Sequence, residues 1–411
     1  MRTYRELFRT PEFLFFFTTV SVQVAAQTAA GLALGTLVYA ATGSPLLSAL
    51  AMFGPSLAQV AGALTLLSAA DRLPPRATLT GLAVLFALGT GVQAVPGLPL
   101  WAAFAVLLGL GVASSLGGGV RYGLLNEILP QRGFLLGRSV LNMAVGTMQI
   151  LGFAVGGVLV TALSARGTLL VGAALYVVAA ALARFGLTAR PPRASGRASV
   201  RETWRTNALL WSSAPRRSVY LALWVPNGLV VGCESLYIAY APAHAGLLFA
   251  CGALGMLTGD ALVGRFVPGR WRARLGAPLR LLLAAPYLVF ALNPGLPVAV
   301  VAVVLASVGF SASLLLQERL MALTPEELSG HALGLSSSGM LAMQGVGAAV
   351  AGSVAQLTSP GTGMAAVAAL SLAVTVALAP GLRAGRGREA EGRLQGEGSP
   401  RTTETKETTT S

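Results

Sequence analysis

Two acidic residues, Glu234 and Asp260, lie inside long apolar segments of this sequence. An ionised side chain at the centre of a membrane helix costs at least about 2.5–3.5 kcal/mol, so its retention needs a reason. No lysine or arginine is expected at the depth of either acid. We predict that Glu234 takes up and releases protons. The alternative is a permanently protonated carboxyl group that is hydrogen-bonded to a neighbouring helix.

Asp260 lies nearer to the end of its apolar segment. We favour a structural role for it, as an ion-pair partner of Arg265 or of Arg280. Whether Glu234 or Asp260 titrates is left open by the residues alone.

Uncharged polar side chains accompany the two acids. Asn227 lies seven residues before Glu234, on nearly the same helix face, and Tyr237 lies three residues after it. Pro226 should kink this helix beside Asn227. Such residues serve either as ligand contacts or as interhelical hydrogen bonds. The candidate substrate-binding residues are Gln23, Gln27, Asn227, Tyr237, Ser311 and Gln317.

The elements that position these residues are membrane helices. The chain of 411 residues is 54% hydrophobic and only 11% charged, whereas soluble proteins carry about 25% charged residues. Twelve apolar segments each reach or approach the roughly 20 residues that cross a bilayer as a helix. We number them spans 1 to 12, and they cover 12–40, 46–70, 77–95, 99–122, 139–163, 168–187, 218–240, 244–266, 276–293, 297–318, 331–357 and 362–382. The sequence therefore predicts an all-α polytopic membrane protein.

Basic residues predict the orientation. With the N-terminus inside, 28 of the 29 lysines and arginines fall in inner loops, tails or inner helix ends, and only Arg166 falls outside. Cytoplasmic segments carry this excess of basic residues. We expect a multi-pass protein of the cell (inner) membrane with both termini in the cytoplasm. The net charge of +14 then reports topology and contact with the lipid bilayer, and we expect no binding of nucleic acid.

The spans divide into two related halves. A basic linker with seven arginines, residues 188–217, separates a six-helix bundle (1–187) from a second six-helix bundle (218–383), and a disordered cytoplasmic tail (384–411) follows. Gly62 matches Gly255 at an offset of 193, and three pairs match at an offset of 195: Met148 with Met343, Gly152 with Gly347, and Gly157 with Gly352. These offsets predict a duplication of six spans.

Several function classes are excluded. The only lysine is Lys406, in the tail, so the sequence has no phosphate-binding loop for ATP. Two isolated histidines, His244 and His331, make no metal site. No catalytic constellation is present. We expect neither an enzyme nor a bound cofactor or metal.

Short motifs resemble the major facilitator superfamily. Its loop between spans 2 and 3 carries Gly-x-x-x-Asp-Arg-x-Gly-Arg-Arg, and this chain keeps Asp71, Arg72 and Arg76 there. The exporter branch carries Gly-Pro-x-x-Gly-Gly in span 5. This chain has Gly152, Gly156 and Gly157 but no proline. The stretch from Leu37 to Arg72 looks like the drug, macrolide and siderophore exporter branch.

The resemblance implies a secondary transporter that works by alternating access, with spans 1, 4, 7 and 10 lining the cavity. It implies a conformational latch formed by Asp71, Arg72, Arg76, Asp260 and Arg265, although Asp71 and Arg72 could instead cap a turn and enforce topology. Gly152, Gly156 and Gly157 are expected to permit close helix packing.

We therefore predict a monomeric, proton-coupled antiporter that exports a drug or a hydrophobic secondary metabolite. A proton-coupled importer of a small solute is the first alternative. A non-transporting membrane scaffold or sensor is the second, and Glu234 argues against it because a scaffold needs no ionisable group at that depth.

Overall fold

The computed structural model describes residues 4–70, 73–129, 131–192, 200–325 and 328–397, and every regular element in these ranges is a helix. The predicted latch residues Asp71 and Arg72 lie outside the described residues. The helices of the first half are α1 (Tyr4–Phe8), α2 (Pro11–Thr42), α3 (Pro45–Ala70), α4 (Pro75–Gln93), α5 (Leu100–Ile128) and α6 (Gln131–Gly186).

The helix α6 contains two spans. Its apolar stretch, Leu136–Gly186, is 51 residues long, about 75 Å at 1.5 Å per residue, whereas the hydrocarbon core of a bilayer is about 30 Å thick. Ser164 interrupts it with φ 73° and ψ 167°, values that no helix residue adopts. This break falls between predicted spans 5 and 6.

The second half begins with a helix in the predicted linker. Its elements are α7 (Val200–Ser212), α8 (Ala214–Ser235), α9 (Tyr237–Tyr240), α10 (Ala245–Ala261), a π segment (Leu262–Phe266), α11 (Gly269–Leu282), a 3₁₀ segment (Ala285–Leu292), α12 (Leu296–Gly309), α13 (Ala312–Ala322), α14 (Ser329–Leu357) and α15 (Pro360–Glu397).

Eleven helical stretches of the described chain are long and apolar enough to cross a membrane. Because the stretch in α6 is broken into two, they make twelve spans, and the predicted polytopic fold is confirmed. Span 7 consists of α8 and α9, span 8 of α10 and the π segment, span 9 of α11 and the 3₁₀ segment, and span 10 of α12 and α13.

Proline and glycine set many helix ends. Pro11, Pro45, Pro75 and Pro360 each occupy the first position of a helix, where the missing N–H costs nothing and φ is already helical. Gly43 ends α2 with φ 62°, and its N–H donates to the Tyr39 carbonyl at 2.8 Å. Spans 1 and 2 are thereby joined by a tight turn.

Three segments differ from expectation. The linker contains the 13-residue helix α7, and α15 continues to Glu397 through the start of the predicted disordered tail. Pro226 lies inside the continuous helix α8. Span 7 is interrupted after Ser235, which was not predicted, and Leu236 there separates α8 from α9.

Span 7 lies at the centre of the molecule. In its most apolar stretch 83% of the residues are buried, against 28–56% in the other spans of the described chain. We call the side on which residues 188–217 lie the linker side, and the side of the turn between α2 and α3 the turn side. Spans 5 and 8, and spans 2 and 11, form the seams between the halves.

Candidate functional site

Glu234 is the buried carboxyl group of span 7. It lies 20 residues after Ala214, about 30 Å along the helix towards the turn side. Its side chain is 9% exposed, and among the described residues its Oε1 has no hydrogen-bond partner. The helix ends one residue later, at Ser235. An unsatisfied acid at a helix break is the most unusual polar group of the second half.

Tyr237 follows the break and is fully buried. Its hydroxyl shares a hydrogen bond with the hydroxyl of Tyr287 in span 9, and its ring meets the edge of Phe249 with centroids 4.9 Å apart. The structure therefore places this predicted substrate residue in packed surroundings next to Glu234.

Asn227 joins spans 7 and 10. Its side-chain N–H groups donate to the Leu223 carbonyl at 2.6 Å and to Ser313 Oγ at 3.0 Å. Ser311 is also buried, and it lies between α12 and α13, where it donates to the Val308 carbonyl at 2.7 Å. Gln317, two turns further along span 10, is exposed.

The glutamines of span 1 separate in the structure. Gln23 is buried, and its Oε1 accepts a hydrogen bond of 2.7 Å from Arg121 of span 4, whereas Gln27 is exposed. The sequence did not single out Arg121, which was counted among the inner helix ends. It lies seven residues before the end of α5. The signal available in the sequence was the length of this helix, which places Arg121 inside the helix rather than at its end.

The glycines of span 5 pack as the resemblance implies. A Cβ on Gly152 would lie 2.8 Å from the Cβ of Thr28, and a Cβ on Gly156 would lie 3.0 Å from the Cα of Ala29, both in span 1. A Cβ on Gly157 would lie 2.9 Å from the Cα of Gly246 in span 8.

The duplicated glycines repeat this arrangement. Gly347 of span 11 packs against Gly228 of span 7, as Gly152 packs against span 1. A Cβ on Gly352 would lie 2.7 Å from the Cα of Leu46 in span 2, across the other seam. Gly152 and Gly347 therefore each contact a helix of their own half, whereas Gly157 and Gly352 each contact a helix of the opposite half, in agreement with the predicted duplication.

The halves are closed on the turn side. Tyr39 donates to the Ala239 carbonyl at 3.4 Å, and Ser44 donates to Gln356 Oε1 at 2.7 Å. Each bond joins one half to the other.

The close contacts of the spans 5–8 seam lie towards the turn side. Phe153 stacks on Phe249 with ring centroids 4.6 Å apart. On the same helix faces, Gly146 lies two turns and Asp260 three turns closer to the linker side. A Cβ on Gly146 would meet no atom within 4 Å, and Asp260 is exposed. These two positions are therefore less tightly packed than the aromatic stack.

The other predicted latch residues do not form a common network in the described residues. Asp260 and Arg265 are both exposed and no salt bridge joins them there. They flank the start of the π segment, a local irregularity that is frequent at functional sites. Arg76 donates to the Leu187 carbonyl at 3.5 Å.

A separate ionic cluster holds the beginning of the linker. Arg190 forms a bidentate pair with Glu12 of span 1, in which Nη2 lies 2.8 Å from Oε2. Its Nε lies 3.4 Å from Glu127 of span 4, and the Thr188 N–H donates to Glu12 at 2.9 Å. Glu12 raises the pKa of the Arg190 guanidinium.

Twelve membrane-spanning helices in two duplicated halves, with a buried acid in the central helix, are the architecture of a membrane transporter. The family model of the Major Facilitator Superfamily matches residues 15–317, and the chain belongs to this superfamily. It is a secondary transporter. No curated protein sequence matches the chain.

Solved structures share this fold. The nucleoside transporter NupG, in a mutant form, superposes with a TM-score of 0.70 at 14% identity, covering 90% of this chain and 99% of its own. A bacterial homologue of the human lysosomal transporter Spinster, in an inward-facing and unoccupied conformation, gives 0.67 at 14%, covering 93% of each chain. A POT family transporter in complex with a thioalcohol-conjugated peptide gives 0.67 at 12%, covering 90% and 95%.

Proposed function

We propose that this transporter is a proton-coupled antiporter that exports a drug or a hydrophobic secondary metabolite. It acts as a monomer in the cell (inner) membrane, with the linker side and both termini in the cytoplasm. The distribution of basic residues supports this orientation, because cytoplasmic loops carry the excess of lysine and arginine.

The observation that carries the proposal is the environment of Glu234. The carboxyl group is buried in the most buried span and its Oε1 has no hydrogen-bond partner among the described residues. A carboxyl group in such surroundings is expensive to retain unless it has a function. It also lies directly before residues that join the halves, since Ile238 and Ala239 contact Gly35 and Tyr39 of span 1.

This position suggests how proton transfer drives transport. A proton that enters from the turn side protonates Glu234, and the substrate leaves on that side. Deprotonation towards the cytoplasm resets the carrier. The two halves rock about the glycine seams between these states, because close backbone contacts allow helices to reorient without side-chain interlocking.

The substrate site consists of an apolar cavity with few polar groups. Gln27 and Gln317 are exposed and therefore available to a ligand in this conformation. Gln23 and Asn227 are engaged in hydrogen bonds between spans. Tyr237 and Ser311 are also engaged in hydrogen bonds. These four residues take part in binding only if the substrate replaces their present partners.

The latch is proposed for the linker side, from Asp71, Arg72, Arg76, Asp260 and Arg265. The exposure of Asp260 and Arg265 supports a role in the opposite conformation. Bistable contacts of this kind form in one state and are released in the other.

Everted membrane vesicles test the direction and the coupling. A proton gradient that is acidic inside the everted vesicles should cause a fluorescent hydrophobic drug to accumulate in vesicles that contain the transporter, and collapse of the gradient should release it. Vesicles without the protein are the control. Absence of gradient-dependent accumulation across a panel of hydrophobic compounds would overturn export.

An importer of a small solute is the second candidate. Phe153 stands where the exporter motif of span 5 has a proline, and the similar structures include a nucleoside transporter and a transporter with a bound peptide conjugate. Gradient-driven uptake of a nucleoside or peptide into right-side-out vesicles, with no drug accumulation in everted ones, would favour it.

A further inference from the structure

The linker helix α7 combines exposed apolar and basic side chains. Trp204 is 58% exposed and Leu209 is 54% exposed, and Arg205, next to Trp204, is also exposed. The segment 200–217, from α7 into span 7, contains four arginines and one acidic residue. Large exposed apolar groups beside basic ones are typical of helices that lie in the headgroup region of a bilayer.

The last turn of α7 is fixed to the second half. Leu210 is fully buried in a cluster with Tyr220, Leu320 and Ala332. Trp211 stacks on Trp224 of span 7, with ring centroids 5.4 Å apart and an interplanar angle of 10°. The helix is therefore held at the linker-side end of spans 7, 10 and 11.

Hydrogen bonds complete this attachment. Trp224 Nε1 donates to the Ser336 carbonyl of span 11 at 3.0 Å. Arg216 Nη2 donates to the Leu209 carbonyl at 3.2 Å, which closes the corner between α7 and span 7. Arg217, the next residue, is exposed. The attachment leaves Trp204, Arg205, Leu209 and Arg217 available to another surface.

We propose that these four residues bind the headgroup region of the linker-side leaflet and prefer anionic phospholipids. Two observations identify this occupant. The helix ends at Ser212, two residues before α8 begins and six residues before the predicted start of span 7 at residue 218, so we place its exposed face at the height of the headgroups. Among the described side chains of 200–217, the exposed charges are Arg205 and Arg217, and each basic residue near an anionic surface is attracted to it with a free energy that screening by salt reduces. Trp204 supplies the amphipathic ring that interfacial tryptophans use as an anchor.

Binding at this face has a consequence for the transport helices. Because α7 is stacked on Trp224 and Trp224 is bonded to span 11, lipid contact restrains the linker-side ends of spans 7 and 11 together. This inference does not depend on the direction of transport or on proton coupling.

Tryptophan quenching by brominated lipids tests the proposal in the full chain. The protein is reconstituted in phosphatidylcholine vesicles in which the same mole fraction of brominated chains is carried by phosphatidylcholine or by phosphatidylglycerol. Brominated phosphatidylglycerol should quench about twofold more strongly. All variants carry Trp271→Phe, because Trp271 is a second exposed tryptophan on the linker side and lies beside Arg274. In this background Trp204→Phe should lose the excess, whereas Trp101→Phe, which removes the exposed tryptophan at the turn-side start of span 4, should keep it.

A charge variant separates the two parts of the proposal. Arg205→Gln combined with Arg217→Gln leaves the Arg216 bond and the aromatic stack in place. In this variant, quenching by brominated phosphatidylglycerol should fall to that by brominated phosphatidylcholine. High salt should have the same effect on the unmodified protein. Equal quenching by both lipids in the unmodified protein would overturn the preference for anionic lipid. An excess that survives in Trp204→Phe would overturn the assignment to α7.

Discussion

Phe153 of span 5 and Phe249 of span 8 stack across the seam between the halves, with an interplanar angle of 15°. Phe153 occupies the motif position at which the exporter branch has a proline. A proline has no ring to stack there, so the departure from the motif adds an aromatic contact that holds the turn side closed.

Phe153→Ala should therefore open the turn side. A stacked aromatic pair contributes about 0.5–1.5 kcal/mol beyond its buried area, so the closed state should lose about twofold to tenfold in population relative to the open state. Spin labels at Thr42 and Thr358, both exposed on the turn side, should show a larger fraction of long distances in a cysteine-free background. An unchanged distance distribution would mean that the stack does not restrain the seam.

Gly157→Ala should impair transport more than it impairs folding. A Cβ at this position would meet the Gly246 backbone at 2.9 Å, and overpacking costs about 1–3 kcal/mol. If the closed state bears this cost, the transport rate should fall about tenfold. Gly146→Ala is the matched control, because a Cβ on this glycine of the same helix has no atom within 4 Å. Equal rates for the two variants would contradict the close-contact account.

Asn227 and Ser313 should behave as a coupled pair. Interhelical hydrogen bonds in membranes contribute about 0.6 kcal/mol on average and up to about 1.7. Asn227→Ala and Ser313→Ala should each lower the unfolding free energy, and the double variant should lose less than the sum of the two. Additive losses in a double-mutant cycle would show that the 3.0 Å contact carries no coupling.

Glu12→Gln should weaken the attachment of the linker by at most about 1 kcal/mol, since the pair with Arg190 is partly exposed. The loss should shrink at high salt. Because Glu12 raises the pKa of Arg190, the guanidinium's contribution is complete below its unfolded-state pKa and is lost only above the raised value. Thermal unfolding should therefore show no loss of this pair between about pH 7 and pH 10. A marked weakening of the pair between about pH 7 and pH 10 would contradict the identification of the Arg190 guanidinium as its basic member.

Hydropathy and loop charge were sufficient to predict the spans, because crossing a bilayer requires long apolar helices whatever their neighbours are. The glycine motif could also be read in advance, since Gly152 and Gly157 recur at a constant offset in Gly347 and Gly352. Both signals are local or repetitive.

The site was less predictable because its contacts are distant in sequence. The bond between Arg121 and Gln23 joins residues 98 positions apart, and the bond between Tyr237 and Tyr287 joins residues 50 positions apart. Helix α7 was read as a linker because its arginines masked the apolar face that Leu210 and Trp211 present to span 7. Pro226 was expected to kink span 7, and it lies inside a continuous helix, whereas no residue type in the sequence pointed to the break after Ser235.

The central claim is that Glu234 carries the coupled proton, and proteoliposome transport of Glu234→Gln tests it most directly. Two activities are compared for an exported compound: accumulation driven by a pH gradient, and exchange of labelled for unlabelled substrate without a gradient. The account predicts that Glu234→Gln loses gradient-driven accumulation and retains exchange, while Asp260→Asn, which removes a latch carboxylate, slows both activities alike and leaves accumulation coupled to the gradient. Gradient-driven accumulation by Glu234→Gln at the unmodified rate would contradict the account.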